Sequence, residues 1–244
     1  MRIFLILIVS LNFLSLNPKA QTMVTNEVFN RVFQIKIGSG TASGFLISLE
    51  EVDYLITARH TLPKDITTGS NLDFEIMRNQ KWEKLNATVL LHDNEKVDVA
   101  VLNLHSNNAG ENLFDIEITG SSITQDCYFL GYPFGSRMDH YNGNNGYPAP
   151  FVKKGIISAV LKDGDAVLVC LDGHNNPGFS GGPVVINNPS GLKHRMKIIG
   201  IVSGYRMDDK VKGTPVGNII TYENSGIVYC YSIEHAKEII NKNK

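Results

Sequence analysis

Residues Asp172 to Val185 read DGHNNPGFSGGPVV, and the interpretation of this stretch decides the fold. Four glycines crowd around a single serine, Ser180, and the chain then runs straight into an apolar segment. Glycine costs backbone entropy and gives a core nothing to pack, so its repetition marks a backbone that takes unusual angles or is closely approached. Taken alone, the stretch is either a tight loop between two strands or the seat of a nucleophilic hydroxyl. The decision falls to the rest of the chain.

A serine hydroxyl attacks well only when a neighbouring base takes its proton, and the base works best when a third group fixes its tautomer and stabilises its charged form. His60 lies in DYLITARHTL, directly after an apolar strand, where a ring would sit at a strand end and face a cleft. Asp98 lies in EKVDVAVLNL, at the entrance to another apolar strand, shielded from water yet able to accept a hydrogen bond. Each has a plainer interpretation, a surface histidine and a strand-entry turn residue. The other histidines, at 92, 105, 140, 174, 194 and 235, lie mostly in polar loops or near the C-terminus and lack this setting. The conjunction of all three groups, in the order His, Asp, Ser, favours chemistry.

The chain has 244 residues, 43% hydrophobic and 19% charged, with a formal net charge of -1. That balance describes a globular chain and excludes disordered or fibrous classes. Its Lys and Arg are scattered rather than gathered on one face, which argues against a nucleic-acid partner. The first residues, MRIFLILIVSLNFLSLNPKAQT, have a basic start, an apolar run from Ile3 to Leu16 and a polar exit. They are expected to form a secretory signal peptide over 1–20, cut after Ala20; the run is shorter than the roughly 20 apolar residues of a bilayer span. No stable membrane span is expected after its removal. Cys127, Cys170 and Cys230 match no zinc spacing, and each sits in an apolar run, so buried thiols are expected, with room for one bridge.

Beyond the leader, short runs rich in β-branched and aromatic residues alternate with Gly, Asn, Asp and Ser clusters: RVFQIKI, SGFLIS, DYLITA, LNATVLL, DVAVLNL, CYFLGY, KKGIISAV, AVLVCL, GPVVI, KIIGIVSG and GIVYCYS. This pattern predicts an all-β chain of sandwich or barrel type. The polar stretch SNNAGENLFDIEITGSS separates two blocks of comparable strand count, so two small barrels are expected, over 24–115 and 116–231. The segment SIEHAKEIINK predicts a C-terminal helix over 232–244, with Ser232 as its N-cap and Ile233, Ala236, Ile239 and Ile240 on one face. The loop PFGSRMDHYNGNNGYPAP has the length of a binding loop or lid.

TARH around His60, DVAVL at Asp98 and NPGFSGGPV around Ser180 together resemble the signature segments of the trypsin-like (chymotrypsin-fold) serine peptidases. The likeness is closest to the bacterial HtrA/Deg proteases, with no PDZ module expected after the peptidase domain. SGFLIS, FLGYPFG, VKKGIISAV, IIGIVSGY and SGIVYCY extend it from about Val28 to the C-terminus. The resemblance implies two six-stranded antiparallel β-barrels with a catalytic cleft between them. His60 and Asp98 would come from the first barrel and Ser180 from the second, with the backbone N–H groups of Gly178 and Ser180 forming the oxyanion hole.

Two positions depart from the family pattern. Relatives activated by propeptide removal carry, before the serine, an Asp that pairs with the new N-terminal ammonium; here Phe179 stands there and cannot accept that salt bridge. Arg59 stands where many relatives carry a small residue, and either points to solvent or lies close enough to lower the pKa of His60. By resemblance the substrate pocket has His174 at or near its floor, with Ser203, Tyr205 and Gly226 on its walls. His174 there would favour an acidic side chain; on a solvated loop it would have no such role.

The expectation is therefore an exported serine endopeptidase acting on protein or peptide substrates without a metal or organic cofactor. The alternative is a non-catalytic binding module of the same fold that recognises a protein partner. An α/β-hydrolase esterase would need alternating strands and helices and its histidine last in the chain, contrary to this order.

Overall fold

The computed structural model describes residues 24–139, 144–188, 194–208 and 223–244. The expected signal peptide over 1–20 and His140 lie outside these residues. A short helix, α1 (Asn26–Phe29), precedes strands β1 (Val32–Ile37), β2 (Gly40–Leu49), β3 (Val52–Thr57), β4 (Asn71–Arg78), β5 (Lys81–Leu91) and β6 (Ala100–Asn103). A two-residue strand, β7 (Asp115–Ile116), leads to β8 (Asp126–Gly131), β9 (Phe151–Asp163), β10 (Ala166–Asp172), β11 (Pro183–Asn187), β12 (Met196–Asp208), β13 (Glu223–Ser232) and helix α2 (Glu234–Lys242).

The first six strands close into an antiparallel barrel in the order β1-β2-β3-β6-β5-β4. The second barrel runs β11-β8-β9-β10-β13-β12 and closes through β11–β12 pairing, with β7 paired in parallel to Lys197 and Ile198 near the start of β12. The molecule is all-β apart from its helical ends, as the alternation of short runs predicts.

Three apolar cores follow from this closure. Ile35, Leu55, Phe74, Val89 and Leu102 fill the first barrel, and Phe129, Val169, Leu171, Phe179 and Val184 fill the second. Between them Phe45, Ile47, Ile56 and Val101 meet Leu130, Val185, Ile198 and Ile201. Successive side chains of a strand point to opposite faces, so Leu55 enters the barrel while Ile56 enters the seam between barrels. Strands at the seam are buried on both faces, which is why DYLITA shows no polar alternation.

Strand β4 is absent from the runs recognised by composition. NLDFEIMR sends Leu72, Phe74 and Ile76 inward, but Asn71, Asp73 and Glu75 between them dilute the apolar signal. Its turn also lacks glycine: Asn79 and Gln80 take φ of 48° and 59°, giving the two-residue turn that matches strand twist. At the C-terminus Ile233, Ala236, Ile239 and Ile240 are buried as the periodicity predicts. Ser232 instead closes β13, and Ile233 holds the N-cap position; the Ser232 hydroxyl still accepts the Glu234 N–H at 3.3 Å.

Phe129 is fully buried and meets Phe179 edge to face, with ring centroids 5.2 Å apart. Phe129→Ala should therefore cost about 3–5 kcal/mol of folding stability, measured by urea titration, because the barrel wall cannot collapse into the space left.

Candidate active site

Strands β3 and β6 are antiparallel neighbours, with Thr57 paired to Ala100. The end of one and the start of the other thus lie side by side, so the residues just beyond each, His60 and Asp98, meet. His60 occupies a single 3₁₀ turn, Arg59–Thr61, after β3. Its Nδ1 lies 2.6 Å from Asp98 Oδ2, and its backbone N–H donates to Asp98 Oδ1 at 2.7 Å. One carboxylate therefore fixes both the position of the turn and the orientation of the ring, engaging Nδ1 and leaving Nε2 at the opposite edge. The His60 side chain is half exposed at 50%, against 18% for Asp98, whose neighbours Val97 and Val99 are fully buried. The hydrogen bond that His60 donates to Asp98 raises the His60 pKa, burial opposes the shift, and the Asp98 charge adds to it. Arg59 takes no part: its guanidinium donates to the His92 carbonyl at 3.3 Å.

Ser180 comes from the loop between β10 and β11, and lines the same cleft as His60, a space of about 340 Å³ with Ile37, Thr41, Pro177 and Gly178. Its hydroxyl donates to the Ser203 carbonyl at 3.1 Å. Ser203 also donates its own hydroxyl to Asp98 Oδ2 at 2.5 Å, so one residue touches both Ser180 and Asp98. It can do so because β12 is irregular there: Val202 pairs with Cys230 and Gly204 with Tyr229, leaving Ser203 as the extra residue of a bulge. A bulge re-aims a side chain and frees its carbonyl from the ladder.

The glycines around Ser180 now have a cause. Gly178 holds φ at +103°, and a Cβ on it would lie 2.3 Å from the Tyr132 carbonyl oxygen. Gly181, at φ +84°, would place a Cβ 2.2 Å from the Ser43 oxygen. Ser43 of β2 is fully buried and binds this loop across the seam: its N–H donates to the Ser180 carbonyl at 2.9 Å and its hydroxyl to the Gly178 carbonyl at 2.7 Å. The same hydroxyl accepts the Tyr132 N–H at 3.0 Å.

The Pro177 carbonyl accepts the Phe134 N–H at 2.7 Å. In a trans peptide the C=O and N–H point opposite ways, so this contact directs the Gly178 N–H away from Phe134. With both carbonyls flanking it tied down, Gly178 has a fixed peptide orientation at the cleft wall. Phe134 itself holds φ at 53° to reach Pro177.

The other sequence-derived pocket residues belong to the second barrel, Tyr205 in β12, Gly226 in β13 and His174 in the loop after β10. The Gly173 N–H donates to the Gly226 carbonyl at 2.9 Å, and Tyr205 pairs with Val228 in β12 and β13. The His174 side chain is exposed, and its carbonyl rather than its ring is engaged. The next residue, Asn175, is buried, with its amide donating to the Gly204 carbonyl at 3.2 Å and its own carbonyl accepting from Asn224 at 2.6 Å. Sequence reasoning passed over Asn175 and Ser43, since neither burial nor a cross-barrel partner leaves a local signal.

His92, His235 and Glu238 bring three possible metal donors within 4.8 Å of one another. Their hydrogen bonding opposes a metal. His92 Nδ1 accepts the Asn94 N–H at 3.0 Å and His235 Nε2 accepts the Val167 N–H at 2.9 Å. In the neutral rings the protons then face Glu238, at 3.4 and 2.8 Å, where a ligating imidazole needs its lone pair. The cluster is a clasp holding α2 to the loop before Asp98. The three cysteines are free, buried thiols; burial pushes Cys127 up to about 12 and raises the other two, which leaves them unreactive.

Residues 42–191 match a family model described as the trypsin-like peptidase domain. No curated protein sequence matches the chain. Among solved structures, it is similar to the active form of the Rv3671c protease from M. tuberculosis, with a TM-score of 0.58 and 18% identity over 89% of this chain and 82% of that one. The inactive form of the Rv3671c protease gives 0.56 and 18% over 89% and 90%. The serine endoprotease from Yersinia pestis gives 0.54 and 20% over 91% and 67%. At such identities these structures show a shared fold.

Two outcomes follow from the geometry. In NMR titration the His60 ring should protonate with a midpoint above the ordinary value of about 6.5, and Asp98→Asn should bring it down. The sign is that of a raised pKa: the charged pair stabilises the fold fully below the unfolded value, and that contribution is lost as pH rises through the folded one. Ser43→Ala strands the buried Tyr132 N–H and Gly178 carbonyl, and should cost about 1–3 kcal/mol in a denaturant titration.

Proposed function

The chain belongs to the trypsin-like peptidase family, and from that premise we propose that it is an exported serine endopeptidase whose triad is His60, Asp98 and Ser180. The observation that carries the proposal is the 2.6 Å contact between His60 Nδ1 and Asp98 Oδ2 at the edge of a cleft that Ser180 also lines. Asp98 accepts a hydrogen bond from the Nδ1–H, so Nε2 keeps its lone pair and can act as base.

In the proposed reaction the Ser180 hydroxyl turns from the Ser203 carbonyl toward His60. Its oxygen bonds to the carbonyl carbon of the scissile peptide while its proton passes to Nε2. The electron pair displaced onto the carbonyl oxygen is met by the N–H groups of Gly178 and Ser180. Collapse of this intermediate breaks the C–N bond, and His60 returns the proton to the leaving amine. Water, deprotonated by His60, then attacks the acyl-enzyme and releases the acid with Ser180 restored. The raised pKa of His60 favours its charged form in each intermediate. The substrates are proteins or peptides, and no step calls on a metal or organic cofactor.

Export rests on the basic start and apolar run of residues 1–20. Among the described residues no helix is long and apolar enough to cross a membrane.

A fluorophosphonate probe tests the assignment, since it traps an activated serine. Wild-type protein should take the label at Ser180, whereas Ser180→Ala should take none and should lose about 10⁴- to 10⁶-fold in peptide turnover. Near-normal turnover in Ser180→Ala would mean another nucleophile, and folded wild-type protein without label would mean a binding module.

A further inference from the structure

The segment 173–178 carries Gly178 to the cleft, and Ser43 and Phe134 hold it from the first barrel and from the loop after β8. From the second barrel it is held by a cation. Lys153 of β9 pairs in register with Phe129 of β8, so the two side chains share one face. That face lines the interior of the barrel, where Phe129, Ile157 and Phe179 are buried. An inward lysine breaks this apolar lining. Its ammonium donates to the His174 carbonyl at 2.5 Å and to Asn176 Oδ1 at 2.5 Å, and lies 5.6 Å from the centroid of the Phe179 ring. It thus touches residues on both sides of Gly178, including the one directly before Ser180.

Packing alone does not call for a charge at this place. Both acceptors are neutral oxygens, and partial burial pushes the Lys153 pKa down, so the cation is held against a desolvation penalty. An unbranched apolar side chain of similar length would fill the same space. What only the ammonium supplies is a pair of hydrogen bonds to a loop whose Pro177–Gly178 peptide must keep one orientation.

We propose that Lys153 is a positioning residue for the oxyanion-binding loop. It ties the His174 carbonyl and the Asn176 side chain to β9, so that the N–H groups of Gly178 and Ser180 stay converged on the cleft. Without it both acceptors turn to water, and the peptide before Gly178, at a permissive glycine φ, gains freedom to rotate. This inference rests on the peptidase reading of the site.

The test compares full-length wild type, Lys153→Met and Lys153→Arg. Lys153→Met should lower kcat by about 10- to 100-fold with KM within about threefold, less than the loss of an oxyanion donor outright, because the loop is loosened rather than removed. Its melting temperature should not fall. Lys153→Arg keeps charge and donors, and should recover kcat to within about threefold of wild type. Amide hydrogen exchange over 173–180 should quicken in Lys153→Met and return in Lys153→Arg. Unchanged kcat in Lys153→Met, or equal losses in both variants with a lowered melting temperature, would overturn the proposal. If wild-type protein neither cleaves peptides nor takes a phosphonate label, the peptidase reading has failed and exchange alone decides: quickened exchange in Lys153→Met upholds the tether, and unchanged exchange removes it.

Discussion

The structure turns on the hydrogen bonds that Ser43 makes across the seam between the barrels. Its N–H and hydroxyl hold the carbonyls of Ser180 and Gly178, and its own carbonyl accepts the Thr57 hydroxyl at 2.8 Å. Thr57 ends the strand that leads to His60. A single buried residue thereby links the strand that leads to His60 in one barrel to the Ser180 loop of the other. Apolar burial at the seam brings the barrels together without direction; these hydrogen bonds set their register.

The same division of labour recurs around the proposed triad. The ladder pairing of β3 with β6 brings His60 and Asp98 together within one barrel, and the Ser203 bulge reaches Asp98 from the other. Asp98 is consequently held by donors from both barrels, with Oδ2 against the Nδ1 edge of the His60 ring. Tyr231 adds a further tie, donating to the Lys96 carbonyl in the loop before Asp98 at 2.5 Å. The site is made of rigid strand ends and a loop braced on several sides, and the proposed chemistry asks for a hydroxyl to turn rather than for a segment to move.

Legibility in the sequence followed burial. Strands at the seam, such as those reading DYLITA and DVAVLNL, announce themselves because both faces are apolar. Strand β4 does not, since half its residues face water and its turn uses Asn79 and Gln80 in place of glycine. His60, Asp98 and Ser180 were identifiable because each sits in a local context of its own: a strand end, a strand entrance, a glycine-rich loop. Ser43, Asn175 and Lys153 have no such context. Their importance lies in what they touch more than twenty residues away, and nothing near them in the chain records it.

The sequence by itself determined the all-β class, the terminal helix with its apolar face, and the three side chains proposed for chemistry, because periodicity and turn chemistry are local properties of neighbouring residues. Only the tertiary structure decided that the His174 ring faces solvent while Asn175 is enclosed, that Arg59 serves the His92 carbonyl, and that a lysine points into a barrel. The loop and turn residues among these are set by partners far along the chain, and the lysine by strand register: a shift of one residue in β9 would send Lys153 to the opposite face.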